Sequence, residues 1–137
     1  MKKNALVLTL MTLLSSCFIS CKRETGDVLI GTWKSDMGYN SSVSANEEVE
    51  MNYVFDGKGN YTFTSSQYGE VHITKGTYKL IDGKYLHTYF SVKNGNGENE
   101  EREEVLELDT SSKPYTLNTD LYDTSGNLVA HLRFVKQ

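Results

Sequence analysis

The side chains that most often carry catalysis or hold metal ions are few and scattered in this chain. The three histidines, His72, His87 and His131, lie far apart, and none belongs to a pattern with metal-ligand spacing. No Gly-x-Ser-x-Gly sequence is present, and no cysteine follows Cys21 to act as a nucleophile. Since no acid–base pair stands out either, we expect a protein that is not an enzyme and has no metal ion or cofactor.

Acidic side chains concentrate in residues 94–104, which read NGNGENEEREE. The alternating oxygen donors at the start of this segment resemble a very loose calcium loop, but the ligand spacing of an EF-hand is missing. A charge run of this kind is typical of a solvated segment. We therefore interpret residues 94–102 as an exposed, acidic and glycine-rich loop.

Aromatic residues are the most informative side chains, with nine Tyr, five Phe and one Trp. On one interpretation these rings fill the interior of a small domain. On the other, some of them line a pocket and orient a mostly apolar ligand through their hydroxyl groups. The candidates for lining such a pocket are Met51, Tyr53, Phe55, Phe63, Ile73, Tyr78 and Tyr89.

A period of two residues runs through the chain from residue 27 onward and indicates β-strands that could position these rings. Val49, Met51, Tyr53 and Phe55, for example, share one face of a strand, as pleated surfaces favour. Eight strands are predicted in this way, over residues 30–36, 48–56, 60–65, 71–80, 84–92, 103–109, 115–122 and 128–135.

The links between the predicted strands are mostly short turns. Residues 56–60 and 123–127 share the pattern Asp-x-x-Gly-Asn, and Asp82-Gly83 is a strong hairpin signal. Gly76 interrupts the fourth strand and indicates a β-bulge. Two links are longer, residues 37–47 and 94–102, and the first is expected to edge the mouth of a binding site.

Short links in series make consecutive strands antiparallel neighbours. A flat sheet of eight such strands would leave two strand edges unpaired and one apolar face exposed to water. Closing the sheet into a barrel removes both the free edges and the exposed apolar face. The predicted fold is therefore an all-β, eight-stranded antiparallel up-and-down β-barrel, with a two-layer β-sandwich as the alternative. The short strands and their charged outer faces argue against a barrel that spans a membrane.

The N-terminal segment has the composition of a secretory signal. Lys2 and Lys3 precede an apolar stretch of about ten residues, which is too short to span a bilayer. The sequences that end at Cys17 and Cys21 both resemble the bacterial lipobox, in which a cysteine is lipidated and becomes the mature N-terminus. We expect residues 1–20 to be a lipoprotein signal peptide, Cys21 to be lipidated with Cys17 as the alternative, residues 21–27 to be a tether and residues 28–137 the domain.

The net charge of the sequence limits the kinds of partner that we expect. The formal net charge of the chain is −4, and because Lys2 and Lys3 are the only charged residues before residue 22, residues 22–137 carry a net charge of −6. An acidic domain without a basic patch argues against a nucleic-acid partner. The expected partner is a membrane, reached through the lipid anchor.

Gly31-Thr32-Trp33 at the start of the first strand and Arg133 on the last strand resemble the lipocalin-like (calycin) barrels. In that family a Gly-x-Trp motif opens the barrel, and a late arginine packs on the tryptophan and helps to close the barrel floor. The resemblance implies that Gly31, Trp33 and Arg133 close the barrel, Gly31 by allowing close approach of the backbone. The domain is shorter than a typical lipocalin and has no helix after the last strand, and small lipocalin-like lipoproteins of diderm bacteria look most similar.

Two functions are compatible with these features. The first is a lipid-anchored barrel at the outer membrane, facing the periplasm or exposed on the surface, that binds a small hydrophobic or aromatic molecule. The absence of Asp after Cys21 points to the outer membrane by resemblance to lipoprotein sorting. The second is a filled barrel that binds a protein or glycan through its loops.

Overall fold

The protein is described by a computed structural model over residues 28–36 and 49–137. These residues form eight β-strands, and none of them belongs to a helix long and apolar enough to cross a lipid bilayer. The strands are β1 (Gly31–Ser35), β2 (Glu50–Phe55), β3 (Asn60–Gln67), β4 (Glu70–Ile81), β5 (Tyr85–Lys93), β6 (Asn99–Asp109), β7 (Thr116–Tyr122) and β8 (Leu128–Lys136).

Each strand pairs antiparallel with the next one, and β8 pairs with β1, so the sheet closes into a barrel. The ladder between β1 and β8 sets Trp33 opposite Lys136 and Ser35 opposite Phe134. Closure satisfies the backbone groups that an open meander would leave at its two edges. The predicted up-and-down barrel is confirmed, and the alternative sandwich is wrong.

The hairpin turns form at the residues for which the sequence predicts them. In residues 56–60, Asp56 Oδ1 accepts hydrogen bonds from the backbone N–H of Lys58 and of Asn60, both at 2.8 Å. Asp123 makes the same pair of contacts in residues 123–127. Asn94 Oδ1 likewise accepts from two backbone N–H groups two and four residues further on. The segment that resembles a calcium loop is therefore a third hairpin of this type.

Strand β6 begins earlier than the sequence indicates. Residues 99–102, which were assigned to a loop, pair with the end of β5, from Lys93↔Asn99 to Phe90↔Arg102. The acidic loop is thus reduced to residues 94–98. The long pairing with β5 brings the glutamates of residues 100–104 into the barrel wall, where alternate side chains face inward and outward.

Gly76 does not form the β-bulge that was predicted for it. It pairs in regular register with Tyr61 of β3 and with Phe90 of β5. A Cβ atom at this position would lie 2.8 Å from Cε1 of Tyr61 and closer still to the carbonyl oxygen of Tyr89. The glycine is therefore required because the Tyr61 ring and a neighbouring backbone approach it closely.

One half of the barrel interior is filled by apolar side chains. Trp33 is completely buried there, and its indole N–H donates to the carbonyl oxygen of Leu29 at 2.8 Å. This half lies at the end of the barrel that holds the turns after β2, β4 and β6, and we call it the closed end. The other residues buried at the closed end are Phe55, Leu86, Leu106, Leu108 and Leu117.

The cation over Trp33 is Lys136 rather than Arg133. The Lys136 Nζ lies 5.7 Å from the indole ring centre and donates to the carbonyl oxygen of Val28. Arg133 alternates with inward-facing residues of β8, so its side chain lies on the outer face, where Nη1 is 3.8 Å from Asp36 Oδ2. The two ends of the barrel meet as expected, but a different residue supplies the positive charge.

Gly31 serves closure in another way than the resemblance implies. Among the described residues, a Cβ atom at this position would meet nothing within 4 Å, so close approach of the backbone is not the reason for a glycine. Its φ of +119° is the reason, because L-residues with a side chain rarely adopt that conformation. Gly31 therefore sets the direction in which the chain enters β1.

Candidate functional site

A cavity of about 270 Å³ occupies the half of the barrel opposite the closed end. The inward-facing residues beyond it, among them His72, Arg102 and Glu100, are exposed, so we call this end the open end. Strands β2 to β8 all contribute to the wall. The lining residues are Met51, Tyr53, Tyr61, Phe63, Thr74, Phe90, Glu104, Leu121, Leu132 and Phe134.

Three of the candidates proposed from the sequence lie around this cavity. Met51 and Tyr53 alternate along β2 on the same face, and Phe63 lies directly opposite Tyr53 on β3. The Tyr53 ring is the centre of the aromatic cluster, with its centroid 4.6 Å from that of Phe63 and 4.9 Å from that of Phe134. This cluster forms one side of the cavity wall.

Two other candidates lie further toward the closed end. Phe55 is only 1% exposed and stacks on Tyr53 with a centroid distance of 5.5 Å. Tyr78 packs edge-on against Phe55 at 5.0 Å, and its hydroxyl donates to the carbonyl oxygen of Asp56. Both rings support the cavity from below and do not line it.

The remaining two candidates, Ile73 and Tyr89, were wrongly assigned to the interior. Ile73 is 62% exposed on β4, where its neighbours Thr74 and His72 point inward. Tyr89 is 36% exposed on β5 and stacks with His87 on the outer face, at 6.4 Å between ring centres. Successive residues of a strand face opposite sides of the sheet, so neither side chain can reach the cavity.

One carboxyl group lies in the cavity wall. Glu104 Oε2 accepts a hydrogen bond from the Tyr53 hydroxyl at 2.9 Å, and the backbone carbonyl of Glu104 accepts from Thr88 Oγ1 at 3.2 Å. Burial raises the pKa of the Glu104 carboxyl above its ordinary value, and the hydrogen bond from Tyr53 acts in the opposite direction. Burial, with the neighbouring Glu104, also raises the pKa of Tyr53, so its hydroxyl keeps its proton and donates.

The elevated pKa of Glu104 predicts how stability depends on pH. Because the folded state binds this proton more tightly than the unfolded chain, the contribution of Glu104 to the free energy of unfolding falls as pH rises through the interval between the two pKa values. We expect Glu104→Gln to raise the free energy of unfolding by about 1 kcal/mol near pH 8 and by less near pH 4. Urea denaturation at both pH values measures this difference.

The matched control for that experiment is Glu101→Gln. Glu101 lies on the same strand, is exposed and alternates with the inward-facing positions, so its neutralisation should change stability little at either pH. Equal effects of the two substitutions would contradict the assignment of Glu104 to a buried environment.

The backbone ladder between β6 and β7 ends before it reaches Glu104. The ladder between them consists of three pairs, from Glu107↔Asn118 to Asp109↔Thr116. Above it, Thr119 Oγ1 still donates to the carbonyl oxygen of Val105 at 3.1 Å. Leu121 lies on β7 beyond the end of this ladder, lines the cavity and is 38% exposed. The wall beside Glu104 therefore has fewer backbone hydrogen bonds than the wall between β5 and β6.

The histidines lie apart from the cavity, each beside a carboxylate. His87 is bonded to Glu103 on the outer face, and His131 Nδ1 lies 2.5 Å from Asp120 Oδ1. His72 is exposed at the open end, with Nε2 3.8 Å from a carboxylate of Glu70. Across residues 28–36 and 49–137, no three His, Cys, Asp or Glu side chains are grouped so that they could hold a metal ion.

Some of the sequence predictions fall outside the part of the chain that the structure describes. These are the lipidation site at Cys21 or Cys17, the signal peptide and tether, and residues 37–47 at the expected mouth. They stay predictions.

Glu104 is the functional candidate that the sequence interpretation missed. It was grouped with the acidic run because its neighbours on both sides are charged. The alternation of side chains along the strand could have identified it, because Leu106 and Leu108, two and four residues further on, are both buried and therefore face the same side as Glu104. Extending the inward face of β6 backward by one step places the carboxyl of Glu104 in the interior.

Comparisons of the chain with protein-family models, with curated proteins and with solved structures find no match.

Proposed function

We propose that this protein is a non-catalytic, lipocalin-like binding protein that holds a small hydrophobic or aromatic molecule in the open half of its barrel. The observation that carries the proposal is the cavity of about 270 Å³ with aromatic and aliphatic walls. Mostly apolar walls with a few convergent polar groups are typical of small-molecule sites. Here Tyr53 and Glu104 are the convergent polar groups.

The size of the cavity limits the ligand. An apolar cavity of about 150 Å³ is large enough for benzene, so this one has space for a molecule of roughly ten non-hydrogen atoms. Long lipid chains do not fit within that volume. A single aromatic ring with a short side chain does.

The cellular setting is part of the same proposal. The N-terminal sequence supports lipidation at Cys21, with Cys17 as the alternative, and hence attachment to the outer membrane, facing the periplasm or the cell exterior. A barrel tethered in this way would hold its ligand at the cell envelope. The resemblance of Gly31-Thr32-Trp33 to the opening of lipocalin-like barrels supports the same class.

Filling the cavity should abolish binding. We expect indole to bind with a dissociation constant on the order of 0.1–1 mM. Thr74→Phe should weaken that binding about tenfold or more, because Thr74 lines the cavity and a phenyl ring at this position would occupy the ligand's volume. Isothermal titration calorimetry of both proteins with indole measures the change.

Ile73→Phe provides the control for this substitution. It adds the same ring one residue away, on the exposed outer face of β4, and should leave the indole affinity unchanged. Equal binding by Thr74→Phe would reject the cavity as the place where indole binds, and failure of the unsubstituted protein to bind indole would reject a site for neutral aromatic ligands.

The second candidate function is an interaction module that binds a protein or glycan through its loops. Two exposed tyrosines at the open end favour it: Tyr68 in the turn after β3 is 76% exposed, and Tyr122 at the end of β7 is 62% exposed. Tyrosine is enriched in protein-binding surfaces. This candidate expects a filled interior, however, and the cavity favours the small-molecule site instead.

A further inference from the structure

Among the residues that the structure describes, the cavity wall combines several aromatic faces with one carboxyl group. Tyr53, Tyr61, Phe63, Phe90 and Phe134 surround the space, and Glu104 reaches it from β6. The Tyr53 ring contacts those of Tyr61, Phe63 and Phe134, with 5.9 Å between the centroids of Tyr53 and Tyr61. Aromatic faces carry negative charge density and attract cations, so rings and carboxylate favour the same sign of ligand charge.

The hydrogen-bonding capacity of Glu104 is only partly used. An ionised carboxylate accepts about four hydrogen bonds. Within the described residues, its side chain accepts one hydrogen bond, from the Tyr53 hydroxyl to Oε2. A carboxylate with one partner in an apolar cavity is costly, and a ligand that donates hydrogen bonds and carries positive charge would offset that cost.

None of the described residues that line the cavity carries a basic side chain that could neutralise Glu104. Arg102 is the next inward-facing residue on β6 toward the open end, and its Nη2 lies 3.5 Å from Glu100 Oε2. The Arg102 charge is therefore directed to a carboxylate at the exposed rim. Tyr61, from β3, is the other titratable group facing Glu104, and burial raises its pKa, which keeps it neutral.

We propose that the cavity selects an organic ammonium ion, namely a small aromatic or aliphatic amine, whose charged nitrogen lies against Glu104 while its apolar part packs on the surrounding rings. This inference rests on the proposed function, since it names the chemical class of the ligand for the same cavity. A neutral ligand would leave the carboxylate with its single partner, and an anion would be repelled by it. Leu121, which lies beyond the end of the β6–β7 ladder, lines the same cavity as Glu104.

Three probes of matched size and different charge test this proposal: 2-phenylethylamine, 2-phenylethanol and phenylacetate. Calorimetric titration of the full chain near pH 8, where the amine is a cation, compares their affinities. We expect the amine to bind about tenfold more tightly than the alcohol, and phenylacetate to bind most weakly. Glu104→Gln should reduce the affinity for the amine to that for the alcohol and leave the alcohol unchanged, whereas the control Glu101→Gln should change neither.

Each other outcome overturns a distinct statement. If the alcohol binds and the amine binds no more tightly, the ammonium proposal is wrong and the proposed function stands. If the amine binds more tightly but Glu104→Gln retains the preference, the cation does not lie against Glu104, and the proposal fails. If none of the three binds at up to roughly 10 mM, the proposed function fails and the ammonium site with it. The comparison of the three probes needs no substitution, so it decides even if a variant does not fold.

Discussion

Replacing Gly76 with alanine is expected to destabilise the barrel by about 3 kcal/mol or more, at the upper end of what overpacking costs. The added Cβ atom would lie 2.8 Å from Cε1 of Tyr61 and closer still to the carbonyl oxygen of Tyr89. The first contact is with a ring that is 4% exposed, and the second is with the backbone of the paired strand. Neither can move away without breaking packing or a strand ladder, so the barrel itself must distort.

Equilibrium denaturation by urea, followed by far-ultraviolet circular dichroism, measures this loss. A small domain has a total stability of about 5–15 kcal/mol, so the variant should unfold at a much lower urea concentration or be unfolded without urea. Gly95→Ala is the matched control, because a Cβ at Gly95 meets nothing within 4 Å and its φ is not in the left-handed region. A midpoint for Gly76→Ala close to that of Gly95→Ala would show that the contact of Tyr61 with Gly76 is not tight.

The same glycine contributes to the shape of the candidate site. Tyr61 lines the cavity, and the absence of a side chain at position 76 lets its ring lie against the wall instead of projecting further inward. Gly76 was interpreted from the sequence as a bulge because a glycine inside a strand has two common explanations, a bulge or a close approach. Only the register with β3 distinguishes between them, and it is regular on both sides of Gly76.

The strands and turns could be predicted because their signals are local. Alternation of apolar and polar residues marks each strand, and the two Asp-x-x-Gly-Asn segments contain within five residues every group that their hydrogen bonds need. Closure followed from a global argument, that eight antiparallel neighbours leave two edges which must be satisfied. These inferences needed no knowledge of which residues lie opposite one another.

The lining of the cavity could be predicted only in part, because it depends on which alternate residues of each strand face the interior. Ile73 and Tyr78 were both candidates, but they are five residues apart on β4, so a regular strand must turn one of them outward. Composition favoured both, and the structure places Ile73 on the outer face. On β6 the composition led to the opposite error. Because the neighbours of Glu104 in the sequence are charged, its side chain was expected to face solvent, whereas it faces inward. Hydrophobicity identifies strands better than it identifies which face holds a polar functional group.

The second substitution with a large expected effect on stability removes the buried tryptophan at the closed end of the barrel. Trp33→Ala is expected to lower the free energy of unfolding by about 3–5 kcal/mol, the usual range for loss of a fully buried large aromatic side chain. The substitution removes the ring that packs the closed end, and it also leaves the carbonyl oxygen of Leu29 without the indole N–H. Circular dichroism is again the appropriate readout, because the only tryptophan is the residue removed.

Three further substitutions separate the contributions of the ring, its hydrogen bond and the neighbouring charge. Trp33→Phe keeps an aromatic ring but loses the hydrogen bond to Leu29, so it should cost less than Trp33→Ala. Lys136→Met keeps the aliphatic stem over the indole and removes the charge, and should cost about 0.5–2 kcal/mol. Arg133→Met should be milder still, since Arg133 lies on the outer face beside Asp36. A larger loss for Arg133→Met than for Lys136→Met would return the closing role to Arg133, as the resemblance to lipocalin-like barrels implies.

The effect of Trp33→Ala on ligand binding distinguishes a two-part interior from a single continuous core. Trp33 belongs to the closed end and is not among the residues that line the cavity. Under conditions where Trp33→Ala remains folded, its affinity for indole should therefore equal that of the unsubstituted protein. A parallel loss of stability and affinity would mean that packing at the closed end holds the cavity open. Because Phe55 at the closed end packs on the cavity-lining rings of Tyr53 and Tyr61, Phe55→Leu should then reproduce the loss of affinity.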